Sequence, residues 1–520
     1  MTHQTSLPLT EIKPLGLRDY QLQVKQNLYS LIRSGKKRIL VFAPTGAGKT
    51  VVAAQIVADA ASRGRRVWFV VDLDILIAQT WDKFKKFGLD CGFVKAGWQE
   101  KPEASVQIVS AQTLARRGLE NQIPPDVVLL DECHKTAWTA IVRQMMGEWC
   151  RSALYIGLTA TPWRLSKRQG MGDIFDALVT APMPHKLMDG GFLVKPAYYG
   201  IPGADLKGVR TVAGDFSESD LAIACDTSEV VERIVKEWLR LCQGRRTIVF
   251  AVNVVHSKHI RDAFLRAGIP SEHVDGTMTS KQRQPIYDRL AAGETLVVTS
   301  CQALQEGFDV PSVSAVLLCR PTKSRALYFQ QIGRGLRIHP ESEKTDCIVL
   351  DQAGNVKRFG FVEDLRRISL TEGSDTQKGD IPVKDCPDCE ALLHISVMRC
   401  PSCGYEFPAP EKVTPTQKLE RLLRKEDQPK FRFFREQVKV GFQKHYAPEW
   451  ASCRFKEEYK FSPPDNWRQA AIFGDNPTDN NRLTYWNYLA AIAQHKGKPR
   501  TWAERQWRFE FGFDEEGGEA

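Results

Sequence analysis

The sequence contains no run of about 18 consecutive apolar residues, the length that a membrane-spanning helix requires. Its opening residues, Met1–Thr10, lack a positively charged stretch followed by an apolar one, so the sequence predicts no secretion signal. Low-complexity segments are absent as well. These absences argue against a membrane protein, an exported protein and a disordered chain, and we expect a cytoplasmic protein with no membrane partner.

Cysteine is not abundant, and its 13 residues form an odd total that predicts reduced thiols. The 520 residues are too many for one hydrophobic core, so several domains are expected. Hydrophobic residues at 42% and charged residues at 26% are ordinary for a soluble globular protein. The net charge of +10 is compatible with a polyanionic partner but does not establish one.

Short runs rich in Val, Ile and Leu alternate with longer helical stretches through the first 350 residues. Buried parallel strands have this composition, so the pattern predicts an α/β fold with two parallel-sheet lobes. The predicted strands are Arg38–Phe42, Val67–Val71, Val106–Val109, Val127–Leu130 and Ala153–Leu158, then Thr247–Ala251, Thr295–Thr299, Ala315–Cys319 and Cys347–Leu350. The predicted domains are lobe 1 (residues 1–205), lobe 2 (206–370), a cysteine ribbon (385–408) and a basic, aromatic, α-rich domain (428–513).

A glycine-containing loop follows the first predicted strand and consists of Ala43, Pro44, Thr45, Gly46, Ala47, Gly48, Lys49 and Thr50. Gly46 and Gly48 allow the backbone to turn its N–H groups towards phosphate oxygens at a helix N-terminus. Lys49 would reach the β- and γ-phosphates of ATP, and the Thr50 hydroxyl would ligate Mg²⁺. The alternative is a chance glycine-rich turn, but the strand–loop–helix context favours a phosphate-binding loop.

Two carboxylates, Asp131 and Glu132, follow the predicted strand Val127–Leu130. Ligand-facing side chains of α/β sheets lie at the carboxyl ends of strands. Asp131 would hold Mg²⁺ through water, and Glu132 would orient and deprotonate the attacking water. The alternative is that both acids merely cap the next helix.

Five short segments in this order resemble motifs I, II, III, V and VI of the DExH-type superfamily 2 helicases. They are Lys49-Thr50, Asp131-Glu132-Cys133-His134, Thr159-Ala160-Thr161, Gly307-Phe308-Asp309 and Gln330 to Arg337. The resemblance covers roughly residues 15–370 and implies two RecA-like lobes that clamp ATP. The cysteine ribbon and the tail resemble those of phage and bacterial DNA helicases of the RadD-like or UvsW-like kind. This resemblance implies a protein of a bacterial cell or of a phage-infected host.

The resemblance also implies roles for individual residues. Near the N-terminus, Arg18 and Gln21 would recognise adenine. His134, Thr159 and Thr161 would couple the nucleotide to the nucleic-acid face. The second lobe would contribute Gly307, Asp309 and Gln330 to the ATP site, and Arg334 and Arg337 as catalytic arginine fingers, which suit the charge that spreads over the γ-phosphate in the transition state.

Hydroxyl and amide groups at three further segments are similar to the parts of such helicases that grip the nucleic-acid backbone. The residues are Ser110, Gln112 and Thr113 in lobe 1, and Asn253, Gly276 and Thr277 in lobe 2. Such groups suit phosphate contacts that carry no sequence information. Ordinary strand-end turns are the alternative.

Four cysteines form two Cys-Pro-x-Cys pairs, Cys386/Cys389 and Cys400/Cys403. Four thiolates in a tetrahedral array select Zn²⁺, so the spacing predicts a small zinc ribbon, with two disulfides as the alternative. The tail after it, from residue 428 to 508, has 15 Lys and Arg against 8 Asp and Glu, and 16 aromatic residues. Its tryptophans are either stacking platforms for nucleic acid or the core of a small domain.

The sequence therefore predicts a Mg²⁺- and ATP-dependent DNA helicase or translocase that contains zinc and acts in repair, recombination or replication. Single-stranded, forked or branched DNA is the expected partner, with RNA as an alternative and a protein partner for the ribbon or tail as a further one. The motor subunit of a restriction or defence system is a rival enzyme function. A nucleic-acid-binding protein with an inactive motor is the non-enzymatic rival.

Overall fold

The computed structural model describes residues 16–72, 74–163, 170–301, 303–304, 308–370, 382–408, 426–444, 446–447, 449–464, 467, 479–495 and 497–511. The chain divides into two compact units, Met1–Phe407 and Pro408–Ala520. The first unit contains two parallel sheets and a small cysteine-rich hairpin, and the second contains helices.

The first lobe is built on a seven-stranded sheet whose paired strands are all parallel. The order across the sheet is β3-β4-β2-β5-β6-β1-β7. Its strands are β1 (Arg38–Phe42), β2 (Val67–Val71), β3 (Cys91–Val94), β4 (Val106–Ser110), β5 (Val127–Leu130), β6 (Leu154–Thr159) and β7 (Ala177–Thr180). Its helices are α1 (Asp19–Arg33), α2 (Lys49–Ala61), α3 (Asp74–Lys86), α4 (Ala111–Arg117), α5 (Cys133–Thr136), α6 (Ala140–Gln144) and α7 (Pro184–Asp189).

The second lobe has a six-stranded parallel sheet in the order β12-β13-β11-β14-β15-β8 and a separate two-stranded hairpin, β9-β10. Its strands are β8 (Lys195–Gly200), β9 (Thr211–Val212), β10 (Asp215–Phe216), β11 (Thr247–Phe250), β12 (Ser271–His273), β13 (Val297–Ser300), β14 (Ala315–Leu318) and β15 (Asp346–Asp351). Its helices are α8 (Glu218–Cys225), α9 (Ser228–Leu241), α10 (Val254–Arg266), α11 (Ser280–Ala292), α12 (Arg325–Gly333) and α13 (Asn355–Phe359). Because β8 pairs with β15, this sheet takes in residues before the predicted boundary at 206.

After Asp364, the described residues form one antiparallel hairpin and four helices. The hairpin consists of β16 (Val383–Asp385) and β17 (Leu392–His394), and the helices are α14 (Gln428–Gln443), α15 (Trp450–Tyr459), α16 (Asp479–His495) and α17 (Arg500–Phe511). The helices pack in two pairs, α14 with α15 and α16 with α17, each around its own aromatic core.

Continuous apolar strands form the cores of both lobes. In β2 and β5 every side chain is buried, as expected for strands that helices cover on both faces. The predicted α/β fold with two RecA-like lobes, a four-cysteine ribbon and a helical C-terminal region is therefore confirmed. Among the residues that the structure describes, no helix is both long enough and apolar enough to cross a membrane.

Candidate ATP-hydrolysing site

Three neighbouring strands of the first sheet carry the first half of the site. β6 pairs with β1 on one side and with β5 on the other, in parallel. The carboxyl ends of all three strands therefore lie at one edge of the sheet. The phosphate-binding loop follows β1, Asp131 and Glu132 follow β5, and Thr159 ends β6. The order of the strands in the sheet thus brings Ala43 and Thr159, which lie 116 residues apart in the sequence, to the same edge.

The loop after β1 has the backbone that phosphate binding requires. Gly46 and Gly48 have φ angles of 89° and 76°, which L side chains rarely adopt. A Cβ at Gly48 would also overlap the side-chain amide of Gln21. Helix α2 begins at Lys49, directly after this turn, so its free N–H groups face the loop.

Lys49 lies between the two predicted catalytic carboxylates. Its Nζ is 2.9 Å from Asp131 Oδ1 and forms an ion pair with Glu132, and all three side chains are at most 17% exposed. Burial opposes the charged form of Lys49, but Asp131 and Glu132 outweigh it and raise the lysine pKa. Burial alone would raise the pKa of Glu132, whereas Lys49, and then His134, lower it to about 2. The site therefore holds Lys49 as an ammonium and Glu132 as a carboxylate.

Glu132 has a strained backbone that directs its side chain into the site. Its φ of 43° places this non-glycine residue in the left-handed region, just before the short helix α5. The Asp131 side chain accepts a hydrogen bond from the Glu132 N–H (3.0 Å), and the Thr136 hydroxyl donates to the Asp131 carbonyl (2.8 Å). These bonds fix the turn, and both carboxylates contact Lys49, so Asp131 and Glu132 do more than cap α5.

A chain of contacts leads from Glu132 to the end of β6. His134 Nδ1 is 3.4 Å from Glu132 Oε2 and 3.0 Å from the Thr159 hydroxyl. That hydroxyl accepts a hydrogen bond from the N–H of Thr161 at 3.0 Å. Thr159 and Thr161 are fully buried. His134, Thr159 and Thr161, which are predicted to couple ATP hydrolysis to nucleic-acid binding, thus form a continuous chain of contacts.

The start of α1 lies against the phosphate-binding loop. Gln21 is 4% exposed, and its side-chain amide donates to the carbonyl oxygen of Ala47 at 3.1 Å. The Tyr20 hydroxyl donates to the same oxygen at 2.9 Å, and the Arg18 guanidinium lies 5.0 Å above the Phe192 ring. In this structure Gln21 therefore supports the loop, and its recognition of the adenine edge remains a prediction.

The second lobe closes the site through helix α12 and the residues after it. The Gln330 amide donates to the Thr161 hydroxyl at 3.2 Å, and Arg334 donates to the carbonyl of Phe308 at 2.8 Å. Arg337 forms an ion pair with Asp309. Both arginines thus face the phosphate-binding loop from the opposite lobe, and Gly307 lies outside the described residues.

A cleft of about 390 Å³ lies between the lobes and contains this constellation. Its described lining comes from the loop, α3 and the second lobe: Ala43, Pro44, Thr45, Gly46, Gly48, Lys49, Thr50, Val51, Leu76, Gln79, Lys83, Phe87, Asp131, Glu132, Ala160, Phe308, Asp309, Gln330, Arg334 and Arg337. Cationic groups from both lobes and three carboxylates converge here, a donor set that fits a polyphosphate together with a divalent cation.

Lys83, Phe192 and the close contact of Gly333 with Thr45 are features of the site that the sequence does not predict. Lys83 Nζ is 3.6 Å from Asp309 Oδ2, so this lysine of lobe 1 reaches a predicted ATP-site residue of lobe 2. A Cβ at Gly333 would lie 2.7 Å from Thr45 Cγ2. No local pattern reveals the contacts of Lys83 and Gly333, because they depend on how the lobes meet. Phe192 lies 174 residues after Arg18, so their contact has no local signal either.

The predicted nucleic-acid residues have mixed surroundings. Ser110 is buried and caps α4 by accepting from the Thr113 N–H, and Thr113 is buried too, whereas Gln112 is exposed. Asn253 caps α10. Gly276 and Thr277 are exposed, and Thr277 donates to Asp275. All follow carboxyl ends of parallel strands, but their nucleic-acid role remains a prediction.

The four predicted metal ligands meet at one point. The sulfur atoms of Cys386, Cys389, Cys400 and Cys403 all lie within 4.8 Å of one another. The Cys386–Cys403 and Cys389–Cys400 sulfur distances are each 3.6 Å. Four thiolates around a tetrahedral Zn²⁺ with bonds of about 2.3 Å lie about 3.8 Å apart. The cluster therefore fits a metal ion of that size, and no disulfide joins these residues.

Comparison with known families agrees with this geometry. The family described as type III restriction enzyme, res subunit matches residues 14–164, and the helicase conserved C-terminal domain matches residues 229–339. The chain belongs to the superfamily 2 helicases. As a member of this superfamily it is an ATP-hydrolysing helicase, which confirms the predicted family and enzyme class.

Several relatives of this superfamily 2 helicase are similar over most of the chain. A "51.5 kDa protein" of a Lactococcus phage (isolate 7-9) is 29% identical over 72% of this chain and 79% of its own length. The "Putative ATP-dependent helicase IRC3" of Saccharomyces cerevisiae is 29% identical over 74% of this chain, which spans 59% of that protein.

A solved fragment described as a putative HsdR subunit of a type I restriction enzyme from Vibrio vulnificus YJ016 has the same fold as this superfamily 2 helicase. Its TM-score is 0.53 at 23% identity, over 66% of this chain and 65% of the fragment. At this identity the likeness describes the fold and not the substrate.

Proposed function

We propose that this helicase couples ATP hydrolysis to movement along DNA, or to its remodelling, during repair, recombination or replication. One observation carries the proposal. Lys49, Asp131 and Glu132 on one lobe face Arg334 and Arg337 on the other across a single cleft. Because the site is complete only when both lobes contribute, hydrolysis requires the lobes to be closed, and this requirement converts chemistry into motion.

Each residue of the cleft has a role that its chemistry supports. The N–H groups of the loop from Pro44 to Thr50 hold phosphate oxygens, and Lys49 adds positive charge at the β- and γ-phosphates. Glu132 orients the attacking water and accepts its proton. Mg²⁺, when bound by Thr50 and by Asp131 through water, supplies the charge that neutralises the phosphates. Arg334 and Arg337 stabilise the charge that develops in the transition state.

Coupling to the nucleic acid runs through the contacts at the end of β6. His134 links Glu132 to Thr159, and the neighbouring Thr161 accepts a hydrogen bond from Gln330 of the second lobe. A shift of the lobes therefore alters a hydrogen bond that is three contacts away from the catalytic carboxylate. Gln112, Asn253, Gly276 and Thr277 would contact the sugar–phosphate backbone, and Ser110 and Thr113 would shape the first of these turns.

We further propose that the four-cysteine cluster holds one structural Zn²⁺. The spacing of the four sulfur atoms supports a tetrahedral thiolate site. Among the described His, Cys, Asp and Glu residues, no other group clusters in this way. The bound ion would tie together two turns of a ribbon that contains only a few buried apolar side chains. The ribbon and the C-terminal helices would contact DNA or a protein partner.

A motor subunit of a restriction or defence system is the second candidate, favoured by the family that matches residues 14–164. Such a subunit uses the same motor on duplex DNA. An RNA helicase is the third candidate. All three share the ATP site described above, so only the nucleic acid that stimulates hydrolysis distinguishes them.

The test is the steady-state ATPase rate of the full chain with Mg²⁺ and matched lengths of single-stranded DNA, duplex DNA, forked DNA and RNA. A repair or recombination helicase should be stimulated most by single-stranded or forked DNA. Stimulation by duplex DNA alone would favour the restriction-type motor, and stimulation by RNA alone would contradict a DNA helicase.

A further inference from the structure

The five tryptophans of the C-terminal region differ in how deeply they are buried. Trp467 is 3% exposed and packs in the core between α14 and α15. Trp486 on α16 and Trp507 on α17 are only partly buried, and both line an open groove of about 340 Å³. Trp467 is therefore a core residue, whereas Trp486 and Trp507 are candidates for a stacking platform.

This groove lies at the open end of the α16–α17 pair. Because the two helices are connected near Gly497 and pack against each other, the beginning of α16 lies beside the end of α17. Its described lining is Leu483, Trp486, Glu504, Trp507 and Arg508. The volume falls within the range of small-molecule sites, about 300–1,000 Å³. Below the groove, the core of the pair is already filled by Tyr485, Leu489, Ile492 and Ala503.

The composition of the groove is unusual for a soluble surface. Leu483 is 57% exposed, and it lines the groove together with the two indole-bearing residues Trp486 and Trp507. Isolated apolar residues on a surface need no explanation, but a concave apolar site with a polar edge is typical of ligand binding. Flat aromatic walls suit a flat aromatic ligand, because ring faces then stack over their full area.

Charge around the groove selects among such ligands. Arg508 lines the groove and is exposed, and the guanidinium of the exposed Arg500 lies 5.9 Å from the centre of the Trp486 ring, while the acidic Glu504 lies within 3.7 Å of Arg500. Cations beside exposed indoles are the combination that holds single-stranded nucleic acid, whose bases stack and whose phosphates are negatively charged. An apolar peptide would need no such surplus of positive charge.

We infer that the groove between α16 and α17 binds an unpaired base of a single-stranded nucleic acid between Trp486 and Trp507, with Arg508 beside the adjacent phosphate. Glu504 at the edge can accept a hydrogen bond from an exocyclic amino group of the base. The inference rests on the proposed function, since it gives the motor a second contact with the strand. Unlike the motor contacts with sugar and phosphate, this contact requires the base itself.

The experiment uses the full chain and two fluorescent oligodeoxynucleotides of equal length and charge, one normal and one with several abasic positions. The wild-type protein should bind the normal strand more tightly. Trp486→Ala and Trp507→Ala should each weaken binding of the normal strand at least about fivefold and remove its advantage over the abasic strand. Because the charges are unchanged, the dependence of affinity on salt should be unchanged as well.

Three further variants separate stacking from folding and charge. Trp507→Phe should keep most of the preference for the normal strand, since a smaller ring can still stack. Arg508→Gln should lower the slope of log affinity against log salt by about 0.7. Phe461→Ala replaces an aromatic residue that is 43% exposed outside the groove, and it should have no effect.

Equal binding of the two strands by the wild type, or no binding of either, would overturn the inference. Unchanged preference in both Trp→Ala variants would do the same, and a change in oligomeric state in those variants would instead assign the groove to a second copy of the chain. The proposed motor function is read separately. It fails if DNA does not stimulate ATP hydrolysis by the wild type, whereas all groove variants should keep the basal ATPase rate.

Discussion

Gly333 at the end of α12 contacts Thr45 of the phosphate-binding loop so closely that a Cβ at Gly333 would lie 2.7 Å from Thr45 Cγ2. The two residues belong to different lobes. Their contact sets how near Arg334 and Arg337 can approach the phosphates, since Arg334 directly follows Gly333 and Arg337 comes three residues after Arg334. Glycine at this position is therefore a requirement of the closed cleft.

Gly333→Ala should lower the turnover number for ATP at least about tenfold, because the added methyl group keeps the lobes apart in the transition state. Steady-state ATPase kinetics measure this effect. The control is Gly147→Ala, at an exposed glycine where a Cβ would meet nothing within 4 Å. If Gly333→Ala hydrolyses ATP as fast as the control, the contact does not limit closure.

Arg334→Ala and Arg337→Ala should each reduce the turnover number on the order of 10³-fold while changing the affinity for ATP much less. The reason is that these guanidinium groups stabilise charge that develops only in the transition state. Turnover and nucleotide binding, measured on the same variants, separate the two quantities. An effect confined to the Michaelis constant would instead make the arginines ligands of the ground state.

Glu363 predicts a dependence of stability on pH. Its carboxyl group accepts a hydrogen bond from the Tyr198 hydroxyl at 2.8 Å, and burial raises the Glu363 pKa to about 7. The unfolded value is about 4.3, so the folded state binds more protons between these limits and loses stability as the pH rises from about 4 to 7. Glu363→Gln should therefore raise the melting temperature at pH 8 and change it little at pH 4.

The control for this prediction is Glu294→Gln, at an exposed glutamate of the same lobe. It should leave the melting temperature unchanged at both pH values. A Glu363→Gln protein that is less stable than the wild type at pH 8 would show that the carboxylate form is the stabilising one.

Metal analysis of the purified protein should find about one zinc per chain, because four thiolates complete one tetrahedral site. Cys400→Ser should release the ion and loosen the ribbon locally while the two lobes stay folded, as judged by the ATPase rate. Cys453→Ser changes an exposed cysteine outside the cluster and should retain the zinc. A protein without metal and without free thiols at the four positions would support the disulfide alternative.

The strands that carry the ATP site could be predicted because they are continuous apolar runs. β1, β2 and β5 begin and end where the sequence places them. β3, β7, β8 and β12, the edge strands of the two sheets, are not among the predicted strands. β7, β8 and β12 are only partly buried and include polar side chains, whereas β3 is buried but is a four-residue strand that contains Gly92. Edge strands have solvent on one side and lack the apolar composition of central strands.

The residues of the ATP site likewise fall into those that the sequence predicts and those that it does not. Lys49, Asp131 and Glu132 follow apolar strands in recognisable patterns, and the structure brings them together. The contacts that Lys83 and Gly333 make across the cleft have no local signal, because they depend on how the two lobes meet. Among the tryptophans of the tail, composition could not separate Trp467, which is buried, from Trp486, which lines a groove.

The most direct test of the account compares the ATPase rate of the wild type with that of Glu132→Gln, with Mg²⁺ and saturating single-stranded DNA. The wild type should hydrolyse ATP faster with DNA than without it. The variant should bind ATP normally but turn over about 10²- to 10⁴-fold more slowly, because it lacks the acceptor for the proton of the water. Near-normal hydrolysis by Glu132→Gln, or a wild type that DNA does not stimulate, would contradict the account.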